Sequence, residues 1–122
     1  MTSTLKGSRS IAFHRQSGHC CYCGLLMWLD TPSNFAARYG LSSRQARELQ
    51  CTGEHRVAKC DGGSATTDNI DAACLCCNRR RHQRAVSLDA TDYANMVRKR
   101  MLAKGWHPQW LLDRLPPPCF PR

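Results

Sequence analysis

Two cysteine pairs, Cys20 with Cys23 and Cys74 with Cys77, constrain this chain more than any other feature. Two intervening residues let one tight turn aim both sulfurs of a pair at one ion, and four thiolates are a donor set that binds zinc tetrahedrally. The distance between the pairs is free, because the fold closes it. The spacing predicts a structural zinc on Cys20, Cys23, Cys74 and Cys77, the alternative being four buried free thiols. A closed four-thiolate site has no open position for water, so chemistry must lie elsewhere. Cys21 and Cys76 sit inside the pairs and read as bystanders, since Cys21 with Cys23 would leave a single residue between ligands. Cys51, Cys60 and Cys119 read as small core or surface residues.

Zinc answers a need set by size. A chain of 122 residues has room for one domain, expected over residues 1–122, and buries too little apolar surface to be stable without reinforcement. Met1 to Ser10 is polar and basic and lacks the apolar stretch of a secretory signal, so the expected compartment is a reducing cytoplasm. Thiols bind metal there, and nine cysteines would leave one over in a disulfide framework. No apolar run approaches bilayer-spanning length, so no membrane partner is expected. Eighteen Lys and Arg against nine Asp and Glu give a net charge of +9, which favours a polyanionic partner, nucleic acid first. Charge alone does not decide the matter, because many basic proteins are merely soluble.

The periodicities predict an α+β chain. A short helix is expected over Ser8 to Gln16, ended by Gly18, and HCCYCGLLMW from His19 to Trp28 suggests a tight turn between two short strands, a zinc knuckle. Two helical stretches follow, Asn34 to Tyr39 and Ser43 to Gln50, separated by Gly40, with Ser42 as cap and Gln45 three residues on. FAARYGLSSRQARELQ superficially resembles a helix-turn-helix but lacks a third helix, so a packing insertion is the main reading. A strand is expected over Cys51 to Cys60, a turn at Asp61, Gly62 and Gly63, and a returning strand over Ile70 to Ala73. A helix from about Cys77 through Arg84 comes next. Asp89 caps a last helix through Lys104, with Tyr93, Met96, Val97 and Met101 on one side and Gly105 as its stop. Leu115 to Arg122 is Pro-rich and reads as an irregular tail.

Between the cysteine pairs lie Glu54-His55, Gly62-Gly63 and Asn69, and the second pair runs on into Asn78, Arg81 and His82. The run TGEHRVAKCDGGSATTDNIDAACLCCNRRRH is similar to the zinc-containing form of the HNH endonuclease motif: an acid-His pair, a glycine turn, a central Asn and a C-x2-C-N end. With the first knuckle the resemblance covers about residues 20–84; the N-terminal piece and the helix at about 89–104 lie outside it. It implies a small ββα-metal domain with a zinc knuckle and flanking helices. The implied activity is metal-dependent hydrolysis of DNA phosphodiesters, leaving a 5′-phosphate and a 3′-hydroxyl. RNA is the other nucleic acid the pattern admits. One site cuts one strand, so a monomer should nick.

The chemistry agrees. Phosphodiester cleavage needs an activated water and a cation at the scissile phosphate, rigidly placed. By resemblance His55 is the general base, and a neutral imidazole suits that task near neutral pH. The family assigns a catalytic divalent ion to the positions of Glu54 and Asn78, whose oxygens suit magnesium or manganese, with nickel or zinc further options. Some members place a metal-binding His where His82 stands, four residues after Asn78 on the same helical face; a phosphate contact or a solvated histidine are its other readings. Asn69 takes the central-Asn role, its amide bridging the loop so that His55 is held in orientation. The family often has Asp at Glu54 and His at Asn78, departures that bear on metal preference. Adjacent strand residues point to opposite faces. Glu54 and His55 can therefore serve one site only if the strand is distorted or the phosphate lies across its edge.

Helical placement sets Arg81 beside the Asn78–His82 face, which makes it the expected phosphate clamp, while Arg79, Arg80 and Arg84 fan around the site as backbone contacts or as a solvated basic face. His14, His19 and His107 have no motif partners and read as structural, and Trp28, Trp106 and Trp110 read as core or docking residues. The rival is a zinc-stapled nucleic-acid-binding module without catalysis, which would have no need of Glu54, His55, Asn69 and Asn78 together. A zinc-dependent protein-interaction module would leave the arginine cluster unexplained.

Overall fold

Residues 4–120 are described by the computed structural model. In chain order they form α1 (Leu5–Arg15), α2 (Pro32–Tyr39), α3 (Ser43–Arg47), β1 (Cys51–His55), a one-turn 3-10 helix (Lys59–Asp61), β2 (Ile70–Cys74), α4 (Leu75–His82), α5 (Ala90–Leu102) and α6 (Gln109–Arg114). This is an α+β arrangement around one antiparallel pair, registered from Cys51↔Cys74 to His55↔Ile70. Among the described residues no helix is long and apolar enough to cross a membrane.

Helices cover the sheet. On one side α1 lies so close to β1 that a Cβ at Gly53 would come within 2.7 Å of the Leu5 side chain, which explains a glycine inside a strand. On the other side α4 faces Thr52 and Glu54. The outer edge of β2 is also closed. The Gln16 amide donates to the Ala72 carbonyl (2.8 Å) and accepts from the Ala72 N–H (2.9 Å), and the Cys21 N–H donates to the same carbonyl (3.0 Å). An edge occupied at its centre in this way is a poorer template for pairing with another chain.

Several local signals work as expected. Ser42 and Gln45 form a reciprocal capping box, and the Asp89 carboxylate accepts the Asp92 N–H at 2.8 Å. Tyr93, Val97 and Met101 enter the core from α5. The differences have identifiable causes. The first strand stops at His55 instead of reaching Cys60, because Val57 hydrogen-bonds to the Asn69 side chain and the loop folds back on itself. A Cβ at Gly63 would overlap the Val57 carbonyl, so glycine is required at that return. The knuckle is narrower than two strands: a single bridge joins His19 to Leu26, with Gly24 turning at φ 77°. α4 starts at Leu75, two residues early, because the Cys74 sulfur caps it by accepting the Cys77 N–H, and it ends at His82. α3 is only five residues long and α2 buries no residue fully. α3 braces the knuckle through the Trp28 indole N–H donated to the Ala46 carbonyl.

α6, capped at Pro108, was not anticipated; its Leu111 is buried, as is Leu115 just beyond it. The Pro-rich segment after it is irregular but docked, with the Cys119 N–H donating to the Gly24 carbonyl at 2.9 Å. Gly24 permits that approach, since a Cβ there would sit 3.0 Å from the Cys119 carbonyl. Pro121 and Arg122 of the expected tail lie outside the described residues.

Candidate active site and metal centre

The knuckle turn presents Cys20 and Cys23, the end of β2 presents Cys74, and the first turn of α4 presents Cys77. These four sulfurs lie within 4.8 Å of one another, all fully buried. A tetrahedron with Zn–S bonds of about 2.3 Å has edges of roughly 3.8 Å, and the Cys23 and Cys74 sulfurs are 3.9 Å apart. The surroundings suit thiolates. Cys20 accepts the backbone N–H groups of Tyr22 (3.4 Å) and Cys74 (3.3 Å), Cys74 accepts that of Cys77 (3.4 Å), and Cys77 accepts the Trp106 indole N–H (3.3 Å). The cluster can therefore hold a zinc ion. Cys21 and Cys76 stay outside it. Burial pushes the Cys76 thiol up to about 11 and that of Cys21 well above its usual range, so both are protonated neighbours.

Trp106 enters from beyond the cysteine motif, in the stretch between α5 and α6, and the guanidinium of Arg80 lies over its ring at 4.7 Å. His107 follows, with burial lowering its pKa to about 4, so it is neutral at physiological pH and packs as a structural residue.

The second constellation lies between β1 and α4. Alternation along β1 turns Thr52 and Glu54 toward the helix, and helical spacing turns Asn78, Arg81 and His82 back toward the strand. The Glu54 carboxylate is 1% exposed. One of its oxygens lies 3.2 Å from His82 Nε2, and the other accepts from the Tyr22 hydroxyl (3.1 Å) and from Arg81 Nη1 (3.1 Å). His82 is the exposed member, with 56% of its side chain accessible. Asn78 Nδ2 donates to Thr52 Oγ1 at 2.9 Å, which engages the amide nitrogen and not its oxygen.

Arg81 takes a different place from the one expected of a phosphate clamp. Its side chain is 7% exposed and turned inward, donating to Glu54, the Tyr22 hydroxyl, the His55 carbonyl (3.1 Å) and the Leu88 carbonyl (3.4 Å). Burial works against its charge, but Tyr22 and Glu54 outweigh it and hold the guanidinium protonated. The flanking arginines have partners too: Arg79 pairs with Glu48, Arg80 donates to the Trp106 carbonyl at 2.8 Å, and Arg84 reaches Val86 and Met96.

His55 closes β1, and the ladder continues through it to the Arg56 N–H bonded to the Asn69 carbonyl at 2.8 Å, so no bulge intervenes. Its ring makes no hydrogen bond among the described residues, while its carbonyl receives Arg81. Asn69 spans the loop: its Oδ1 accepts the Val57 N–H (2.9 Å), and its Nδ2 donates to the carbonyls of Val57 (3.1 Å) and Ser64 (2.8 Å). Asn69→Ala removes all three bonds and is expected to cost about 1–2 kcal/mol, lowering Tm by about 5 °C. Thermal denaturation checks this, with zinc content unchanged because the cysteines lie at the other end of the sheet.

Tyr22 escaped the sequence reading, although it stands between Cys20 and Cys23. The available signal was that a buried tyrosine needs a partner for its hydroxyl. Its ring packs edge-on against Tyr93 at 4.8 Å, and its phenol ties the knuckle to Glu54, so the cysteine cluster and the carboxylate share one support.

Compared with known proteins, residues 42–84 match the family model described as HNH endonuclease, which spans α3 through α4 and includes the second cysteine pair. No curated protein and no solved structure matches the chain.

Proposed function

We propose, from the match of residues 42–84 to the HNH endonuclease family model, that this chain is a metal-dependent endonuclease that hydrolyses DNA phosphodiesters, nicking one strand as a monomer. The observation that carries this reading is the convergence of Glu54 and His82 to 3.2 Å from strand and helix, one residue before His55.

Glu54, His82 and the Asn78 side-chain oxygen would hold the divalent ion, a donor set whose imidazole suits manganese, nickel or zinc as well as magnesium. When bound, the ion supplies charge neutralisation at the scissile phosphate and stabilises the departing oxygen. His55 takes the proton from the attacking water at a ring nitrogen. With β1 regular through His55, that imidazole and the Glu54 carboxylate serve one phosphate lying across the strand's end, where the sheet stops and solvent begins. Asn69 fixes the backbone that leaves His55, holding the base against recoil. Arg81 orients Glu54 from behind through the 3.1 Å ion pair.

One feature favours the rival reading of a binding module without catalysis: Glu54 already has its charge balanced internally by Arg81. Plasmid nicking separates the two. The purified chain, supplied in turn with magnesium, manganese and nickel, is expected to convert supercoiled plasmid to the open circle and to leave it intact when none of these ions is added. Plasmid binding without nicking under every metal would establish the binding module.

A further inference from the structure

Beside this site, and built mainly from elements outside the HNH match, lies a cleft of about 840 Å³ between the end of α1 and the first turns of α5. Its walls carry Arg15, Arg56 and Arg98 with the single carboxylate of Asp71, and Tyr22 and Asn95 complete them. Three guanidiniums against one carboxylate leave a surplus of positive charge.

The arginines are held in ways that leave donors unused. Asp71 accepts Arg15 Nη2 on one oxygen and Arg56 Nε on the other, each at 3.3 Å, while both arginine side chains stay about half exposed (46% and 47%). Pairs this exposed add little stability. Their effect is to fix two guanidiniums, each of which has five N–H donors in a rigid fork. Contact through Nε leaves both terminal nitrogens of Arg56 for another acceptor. Arg98 is steadied differently, stacked over the Phe120 ring at 4.5 Å, which engages its face and not its N–H groups.

The cleft begins where the catalytic constellation ends. Tyr22 forms its wall and touches Glu54, Arg56 follows His55 in the chain, and Asp71 stands opposite Glu54 in the ladder. Fixed, outward-facing guanidinium forks match phosphodiester oxygens, which they bind in bidentate fashion. We infer that this cleft is a second nucleic-acid subsite, gripping the phosphate backbone of the strand on one side of the scissile position through Arg15, Arg56 and Arg98. Its place along the strand rests on the nuclease reading; its affinity for the backbone does not. Contacts of this kind position a strand and carry no base information, so the grip is indifferent to sequence.

The test is binding of a fluorescently labelled DNA duplex, followed by anisotropy across a salt series with no magnesium, manganese or nickel added, so that nothing is cut and the zinc of the cysteine cluster stays in place. Arg98→Gln is compared with the wild-type chain and with Arg44→Gln, which removes the same charge from an exposed position on α3 outside the cleft. Circular dichroism verifies that all three fold alike. Arg98→Gln is expected to weaken binding about tenfold near 0.1 M salt and to reduce the salt slope by about one, while Arg44→Gln changes affinity less than about twofold. Equal losses in the two variants, or none in Arg98→Gln, overturn the subsite even if the enzyme nicks. A chain that never nicks but shows the selective Arg98 effect sinks the nuclease reading and keeps the subsite.

Discussion

Cys74→Ser is expected to leave the chain unfolded and free of zinc, whereas Cys21→Ser folds and retains one zinc per chain. Serine is a good helix cap, so it can replace the Cys74 sulfur at the start of α4, and the loss falls on metal binding alone. Structural zinc in small domains contributes roughly 10–16 kcal/mol of apparent binding free energy at neutral pH, and the net stability of a domain is only about 5–15 kcal/mol. A chain that loses its zinc with the fourth ligand therefore loses an amount comparable to its whole stability. The cluster also sits where the loss is most damaging, joining the knuckle, the end of β2 and the start of α4 in one buried knot. Far-UV circular dichroism and metal analysis of both variants check the expectation. A Cys74→Ser chain that melts cooperatively without zinc would show that apolar packing suffices and that the four sulfurs are buried thiols.

What could be read from the residues follows how far along the chain each interaction reaches. The Ser42–Gln45 capping box, the Asp89 cap and the two C-x2-C turns are complete within four residues, so their chemistry is local and their spacing states it. The direction of Arg81 is another matter. Helical spacing placed it correctly beside Asn78 and His82, but whether it faces solvent or protein depends on Glu54, 27 positions earlier, and on a tyrosine of the knuckle. A buried carboxylate needs its charge answered, and the nearest guanidinium turns inward to do so. Tyr22 and Trp106 were missed as supports for the same reason: each hydrogen bond joins segments far apart in sequence, Tyr22 to Glu54 and Trp106 to Cys77. The short α6 was hidden because six residues show too little periodicity to announce a helix.

Replacing either member of the acid-His pair is expected to end nicking, but with different effects on the fold. His55→Ala removes the proposed base, and a positioned base contributes about 10²–10⁴-fold to such a reaction. Its imidazole makes no hydrogen bond among the described residues, so melting should be nearly unchanged. Glu54→Gln preserves size and the acceptor facing Tyr22, yet it leaves the Arg81 guanidinium buried beside a neutral amide. Breaking a buried pair from one side costs about 3–5 kcal/mol, a fall in Tm on the order of 10 °C or more for a chain of this size. Arg81→Met in the same chain removes the stranded charge, so the double variant should recover much of that loss while remaining inactive. Melting curves and plasmid nicking of the four chains, wild type included, separate the roles. Nicking by His55→Ala at the wild-type rate would remove the base assignment, and a Glu54→Gln chain as stable as wild type would show that the Glu54–Arg81 pair does not hold the site together.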